Sequence, residues 1–166
     1  MFVLGIDPGL SLTGYGVIAS RGERLQAVAA GALRTSPGLP DSVRLAELFA
    51  DLERLLAEYR PAEVAVEQVF VNRNLQTATA VGRASGVILL AAARAGVPVY
   101  EYTPSAVKLA VTGSGAAAKD RVQALVARRL GLEAAPEPAD AADALAVALC
   151  PLQAAGLRRA VAGAGR

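Results

Sequence analysis

The sequence predicts an α/β domain built on a five-stranded mixed sheet with helices on both faces. Three observations lead there. Three strand-like segments come first, before anything of helical period. Helical and strand-like segments then alternate. The 166 residues are 54% hydrophobic but only 4% aromatic, so the apolar content is mainly Ala, Val and Leu, which suits helices laid on a sheet. A chain of this length makes one domain with a sizeable core.

Phe2 to Asp7 is an apolar run of strand length that stops at a Pro-Gly turn. Gly14 to Ala19 ("GYGVIA") and Leu25 to Arg34 follow as the second and third strands, giving an antiparallel meander. After the loop "TSPGLP", Asp41 or Ser42 is placed to cap a helix. In that helix Val43, Leu45, Leu48, Phe49, Leu52, Leu55, Leu56 and Tyr59 recur at helical spacing, and Pro61 ends it. "AEVAVEQV" is the fourth strand and Leu75 to Ala95 a long helix of small and apolar residues. "VPVYEY" is the fifth strand. Short helices are expected from about Pro104 and Ala118, with the loop "TGSG" between them. A last helix is expected from Ala139 to about Cys150, stopped by Pro151. Residues 1–153 form the expected domain, and 154–166 read as a disordered basic tail.

Composition removes several chemistries. There is no histidine, so Ser-His and Cys-His catalysis, His-ligated zinc and a His base are out. The single cysteine, Cys150, forms no intrachain disulfide. The longest fully apolar run, Val87 to Ala93, is far short of the roughly 20 residues that span a bilayer. The N-terminus has no basic flank or small-residue cleavage site, so a cytoplasmic protein is expected. The net charge of +2 permits an acidic partner without demanding one.

Four acids stand where apolar or neutral residues are expected. Asp7 ends the first strand and Glu67 the fourth. Asp140 and Asp143 lie three apart, on one side of a last helix otherwise made of Ala, Leu and Val. Each has an ordinary explanation taken alone. Asp140 suits a helix cap, Asp7 an Asx turn before Pro8, and Glu67 an exposed strand end. Strand ends on one side of an α/β sheet form the usual site crevice. If the last helix starts there, all four converge, and carboxylates so close repel one another and hold protons unless cations intervene. An all-oxygen set without histidine or thiolate suits Mg²⁺ or Mn²⁺. Two such ions about 3.5–4 Å apart form the clamp used for phosphodiester hydrolysis.

Four segments, "GIDPGLSLTGYGV", "VAVEQVFVNRN", "TPSAVKLAVTGSGAAAKDRVQ" and "PADAADALAVAL", together resemble the RuvC family of Holliday-junction resolvases. The resemblance runs from about Val3 to Cys150, with the motifs in family order. It implies a ribonuclease H-like fold and a DNA endonuclease that resolves four-way junctions by paired symmetric nicks. It implies catalytic and metal-binding roles for Asp7, Glu67, Asp140 and Asp143, with two Mg²⁺ per subunit and Mn²⁺ able to substitute. It further implies a bacterial cytoplasmic homodimer working beside the RuvA–RuvB branch-migration complex. One departure is visible: many members continue into Thr-His-Cys where this chain has Cys150-Pro151.

For DNA contact, Lys108 and Lys119 match basic positions of the family and are the only lysines in an arginine-rich chain. Phe70 matches an aromatic associated with stacking on junction bases, although a core Phe at a strand end fits the same residue. Arg73, Arg83 and Arg121 are candidate phosphate contacts. The helix from Leu75, with Gly82 and Gly86 four apart, is the candidate dimer interface, or else packs within the chain. Two other readings stay open: a ribonuclease H-like nuclease of ribosomal RNA precursors, which begins with a similar strand, and a junction binder without catalysis. An actin-like ATPase shares an Asp-x-Gly loop but needs a second domain that 166 residues do not supply.

Overall fold

In the computed structural model, residues 1–22, 24–68 and 75–164 are described, with only the helical course given beyond residue 154. Five strands, β1 (Phe2–Asp7), β2 (Leu12–Arg21), β3 (Arg24–Arg34), β4 (Glu63–Glu67) and β5 (Val99–Tyr102), form one sheet in the order β3-β2-β1-β4-β5. The first three strands run antiparallel, while β4 and β5 join in parallel. The expected mixed sheet is therefore present. Its helices are α1 (Asp41–Tyr59), α2 (Leu75–Arg94), α3 (Pro104–Thr112), α4 (Lys119–Leu130) and α5 (Ala139–Ala164).

The sheet separates two cores. Along β1, side chains alternate between faces: Leu4 and Ile6 pack with α1 and α2, whereas Val3 packs with α3, α4 and α5. Along β4, Val64 and Val66 face the first core and Ala65 the second. The same alternation turns Asp7 and Glu67 toward α5. Since Ile6 pairs with Val66 in register, the two acids at the next step come out side by side.

α5 lies against the sheet at unusually short range. Gly5 and Gly16 are register partners in β1 and β2, and Gly14 pairs with Asp7. A Cβ on Gly5 would come within 2.1 Å of the Ala144 carbonyl oxygen, and one on Gly14 within 2.2 Å of that of Asp140. The bare backbone at these positions lets the helix settle onto the strands. From Ala141 to Leu152 every residue of α5 is buried except Asp143. A helix buried all round needs no amphipathic stripe, which is why its Ala-rich sequence shows so little period.

Three boundaries differ from the sequence reading. Neither Asp41 nor Ser42 caps α1. Pro40 holds the cap position, and Asp41 instead lies in the first turn and bonds Arg83 of α2 at 2.7 Å. The last helix does not stop at Cys150 but continues through Pro151 to Ala164, so the expected irregular tail is helical at least that far. Proline removes one backbone donor, yet Pro151 is buried, and its neighbours Cys150 and Leu152 pack in a core with residues of α3 and α4 that holds the helix through it. β2 also extends to residues 12–21, because pairing with β1 and β3 on both sides recruits its flanks.

By length and composition alone α2 is apolar enough to cross a membrane. Here one side of it is core, with Ala84, Ser85, Ile88, Ala91 and Ala92 buried. The opposite side, including Gly82, Gly86 and Leu90, is exposed.

Candidate active site

β1 delivers Asp7 to the edge of a cavity of about 370 Å³, which is also lined by Glu67, Asp143, Lys108 and Lys119. Pro104, Val107, Val122 and Ala146 supply its apolar wall. Residues from β1, β4, α3, α4 and α5 thus share one opening. Asp140 does not line it. It sits one turn before Asp143, half-buried, with its backbone against Gly14, and its charge is felt at both Asp7 and Lys119.

Asp7 and Glu67 do not behave as free acids. Burial pushes Asp7 up to about 8, with further upward pressure from Glu67, Asp143 and Asp140. A hydrogen bond between Asp7 and Glu67 favours a proton on Asp7 and draws Glu67 down, while burial, and then the Asp143 charge, raise Glu67. Lys119 and Lys108 pull Glu67 back toward ionisation. Across the cavity, Lys119 Nζ donates to Asp143 Oδ2 at 2.6 Å, and this bond raises the lysine pKa. A shared proton and an ammonium group thereby offset the concentrated negative charge.

Among the described residues no three His, Cys, Asp or Glu side chains converge as a ready-made chelate. The set is instead two pairs, Asp7 with Glu67 and Asp143 with Lys119. The donors are all carboxylate oxygens, poorly solvated and mutually repelling, and that chemistry fits a hard divalent cation. Cys150 is buried nearby, with its thiol pushed up to about 12 by burial, so it offers no thiolate.

The turn behind Asp7 is tied down by side chains that the sequence did not single out. Thr13, fully buried, donates to the Gly9 carbonyl at 2.6 Å and accepts from the Gly9 N–H at 3.3 Å. Thr35 donates to the Leu10 carbonyl at 2.7 Å. Gly14 was also passed over as an ordinary strand glycine, though it lets Asp140 approach β2. Glycines on two paired strands, Gly5 of β1 with Gly14 and Gly16 of β2, facing a small-residue helix are the signal that marks such a contact.

The remaining sequence candidates divide. Lys108 and Lys119 join the acids at the cavity. Arg83 does not; it lines a separate groove with Asp41, Leu75 and Thr79. Arg121 is exposed at the start of α4. Phe70 and Arg73 lie outside the described residues.

Comparison with known proteins gives a consistent picture. Residues 3–151 match the family profile described as crossover junction endodeoxyribonuclease RuvC. The protein of that name from Heliobacterium modesticaldum is 56% identical over 150 residues, covering 90% of this chain and 93% of its own. The Thermus thermophilus RuvC structure superposes with a TM-score of 0.88 at 42% identity, over 95% of this chain and 96% of that one. The same Thermus protein in complex with Holliday junction substrate gives 0.88 at 43% identity, over 93% and 94%.

Proposed function

The chain belongs to the RuvC family of crossover junction endodeoxyribonucleases, and from that membership we propose how its residues divide the work. It is a structure-specific DNA endonuclease of ribonuclease H-like fold that resolves Holliday junctions. Nothing in the comparisons favours a nuclease of ribosomal RNA precursors; the matches named are to junction endonucleases.

The observation that carries the site assignment is the meeting of acids from β1, β4 and α5 beside two lysines in one cavity. Asp7, Glu67, Asp140 and Asp143 hold two Mg²⁺, for which Mn²⁺ can substitute. Bound there, such ions supply acidification of an attacking water and stabilisation of the leaving oxyanion. The protein's own part is to bind and orient. Lys108 and Lys119 take the phosphates beside the scissile bond, because their charge offsets the repulsion between DNA and the acids. Val107 and Val122 form a dry wall that strengthens those charges. Phe70 stacks on bases opened at the crossover, and Arg73 contacts the backbone nearby.

A junction has approximate two-fold symmetry and must be cut on two strands, which a C₂ dimer matches. Support for α2 as its interface comes from the exposed stripe of Gly82, Gly86 and Leu90, where a Cβ on either glycine meets open space. The family match ending at residue 151 supports 1–153 as the nuclease domain with 154–166 appended to it. We further infer cytoplasmic work beside the RuvA–RuvB complex.

The test is incubation with a synthetic immobile four-way junction, with and without Mg²⁺, mapping nicks on every strand. Paired nicks at symmetric positions on two opposing strands, only with Mg²⁺, are expected. Equal cutting of linear duplex, or none of the junction, would overturn the assignment.

A further inference from the structure

We propose that Arg44 is a positioning residue for cleavage, bracing from α1 the turn by which the chain leaves Asp7. The proposal rests on the reading that Asp7 serves the reaction.

Residues 8–11 form no regular element, and apart from a long backbone bond from the Thr35 N–H to the Ser11 carbonyl at 3.4 Å they are held by side chains. Gly9 is tight against Leu12, whose carbonyl oxygen would lie 2.2 Å from a Cβ there. Besides Thr13 on Gly9, two anchors come from outside the turn. The Thr35 hydroxyl has one proton, spent on the Leu10 carbonyl at 2.7 Å, which leaves its lone pairs to accept. Arg44 Nε fills that role at 3.0 Å. The same guanidinium reaches on, and Nη2 donates to Ser11 Oγ at 2.6 Å. One planar fork therefore grips both the support of Leu10 and the side chain of Ser11.

Local preference argues against an arginine here. It stands in the first turns of α1, where the helix dipole disfavours a cation. Its ion pair with Asp41 is long, at 4.0 Å, and Asp41 is held closer by Arg83. Yet the Arg44 side chain is only 14% exposed. Its hydrogen-bond partners are the Thr35 and Ser11 hydroxyls, both at the turn that follows Asp7, and its charged neighbours are the carboxylates of Asp41 and Glu47. Ser11 lies four residues beyond Asp7 with no strand or helix between them, so fixing Ser11 fixes how β1 ends.

The experiment compares Arg44→Ala, Arg44→Lys, Ser11→Ala and the double variant Arg44→Ala/Ser11→Ala with the unaltered protein. Single-turnover cleavage of an immobile junction at saturating Mg²⁺, junction Kd, hydrogen exchange across residues 7–13 and the Tm rise on adding Mn²⁺ are measured. Arg44→Ala is expected to slow cleavage roughly ten- to a hundred-fold, as a small misplacement of a reacting group does. Kd should stay within about two-fold, exchange in the turn should rise, and the Mn²⁺-induced Tm rise should shrink. Arg44→Lys should recover part of the rate, and the double variant should be no slower than Arg44→Ala alone.

Unchanged cleavage by folded Arg44→Ala would overturn the proposal. So would a weakened Kd with a shallower salt slope and an unchanged saturated rate, since that marks a DNA phosphate contact. If Arg44→Ala does not fold, Ser11→Ala decides at an exposed hydroxyl, and full activity there refutes the brace. Junction cutting by the unaltered protein with equally active variants removes this inference only. Failure of the unaltered protein to cut removes the site assignment and this inference with it.

Discussion

Lys119 Nζ lies 2.6 Å from Asp143 Oδ2, so one of the cavity's two lysines is held by one of its acids. An ammonium group paired in this way competes with any cation for the same carboxylate. Replacing Lys119 by Gln should therefore tighten Mn²⁺ binding by a few-fold, read by calorimetry. It should also slow junction cleavage at saturating metal, because the charge proposed to meet phosphate is lost. Weaker Mn²⁺ binding by Lys119→Gln would show that the lysine supports the metal-binding arrangement rather than competing with it.

Asp7 has the most displaced titration in the site, and its sign fixes a pH dependence. Its folded pKa, about 8, lies above the unfolded value of 3.8. The folded state thus holds a proton that the unfolded chain gives up across that window. Without divalent cations, stability should fall as pH rises from about 4 to about 8. Asp7→Asn removes the titration. It should raise the metal-free Tm by several degrees near pH 8, an effect of a few kcal/mol, and leave it nearly unchanged near pH 4. Junction binding should survive and cleavage should vanish. Retained cleavage would refute the catalytic role.

Gly14→Ala tests the seating of α5. The new methyl would stand 2.2 Å from the Asp140 carbonyl oxygen, which is backbone and cannot swing aside. The helix must shift, at a cost of about 1–3 kcal/mol. Cleavage should fall further than the loss of folded protein explains, because Asp140 and Asp143 move with the helix. Activity that tracks the folded fraction alone would confine Gly14 to packing.

How much of this was legible beforehand follows from physical range. The order of elements and the starts of β1, α2 and α5 were readable, since apolar runs, turns and periodicity are local. The meeting of Asp7, Glu67 and Asp143 at one cavity was readable because each interrupts an apolar context. The through-going α5 was not: Pro151 is a local stop signal, overridden by burial that depends on α3 and α4. Asp41 was misread for a similar reason. Its partner Arg83 lies 42 residues away, and a cap motif carries no information about such a neighbour. Thr13 and Thr35 are common strand residues whose bonds to the turn after Asp7 appear only when the strands pair.

The exposed stripe on α2 gives a prediction about assembly. Gly86→Glu introduces a charge where a Cβ meets nothing within 4 Å, so the isolated subunit should fold as before. Replacing a helical glycine should even stabilise it, by up to about 1 kcal/mol. On the proposed assembly, light scattering should then report a dimer for the unaltered protein and a monomer for the variant. A dimer that persists would place the interface elsewhere.

α5 brings Asp140 and Asp143 to strands made at the opposite end of the chain. During synthesis β1 emerges first and these two acids almost last. A polypeptide released early by a stalled ribosome carries Asp7 and Glu67 but lacks the other half of the site. On the proposed assignment of the four acids, incomplete copies cannot cut DNA.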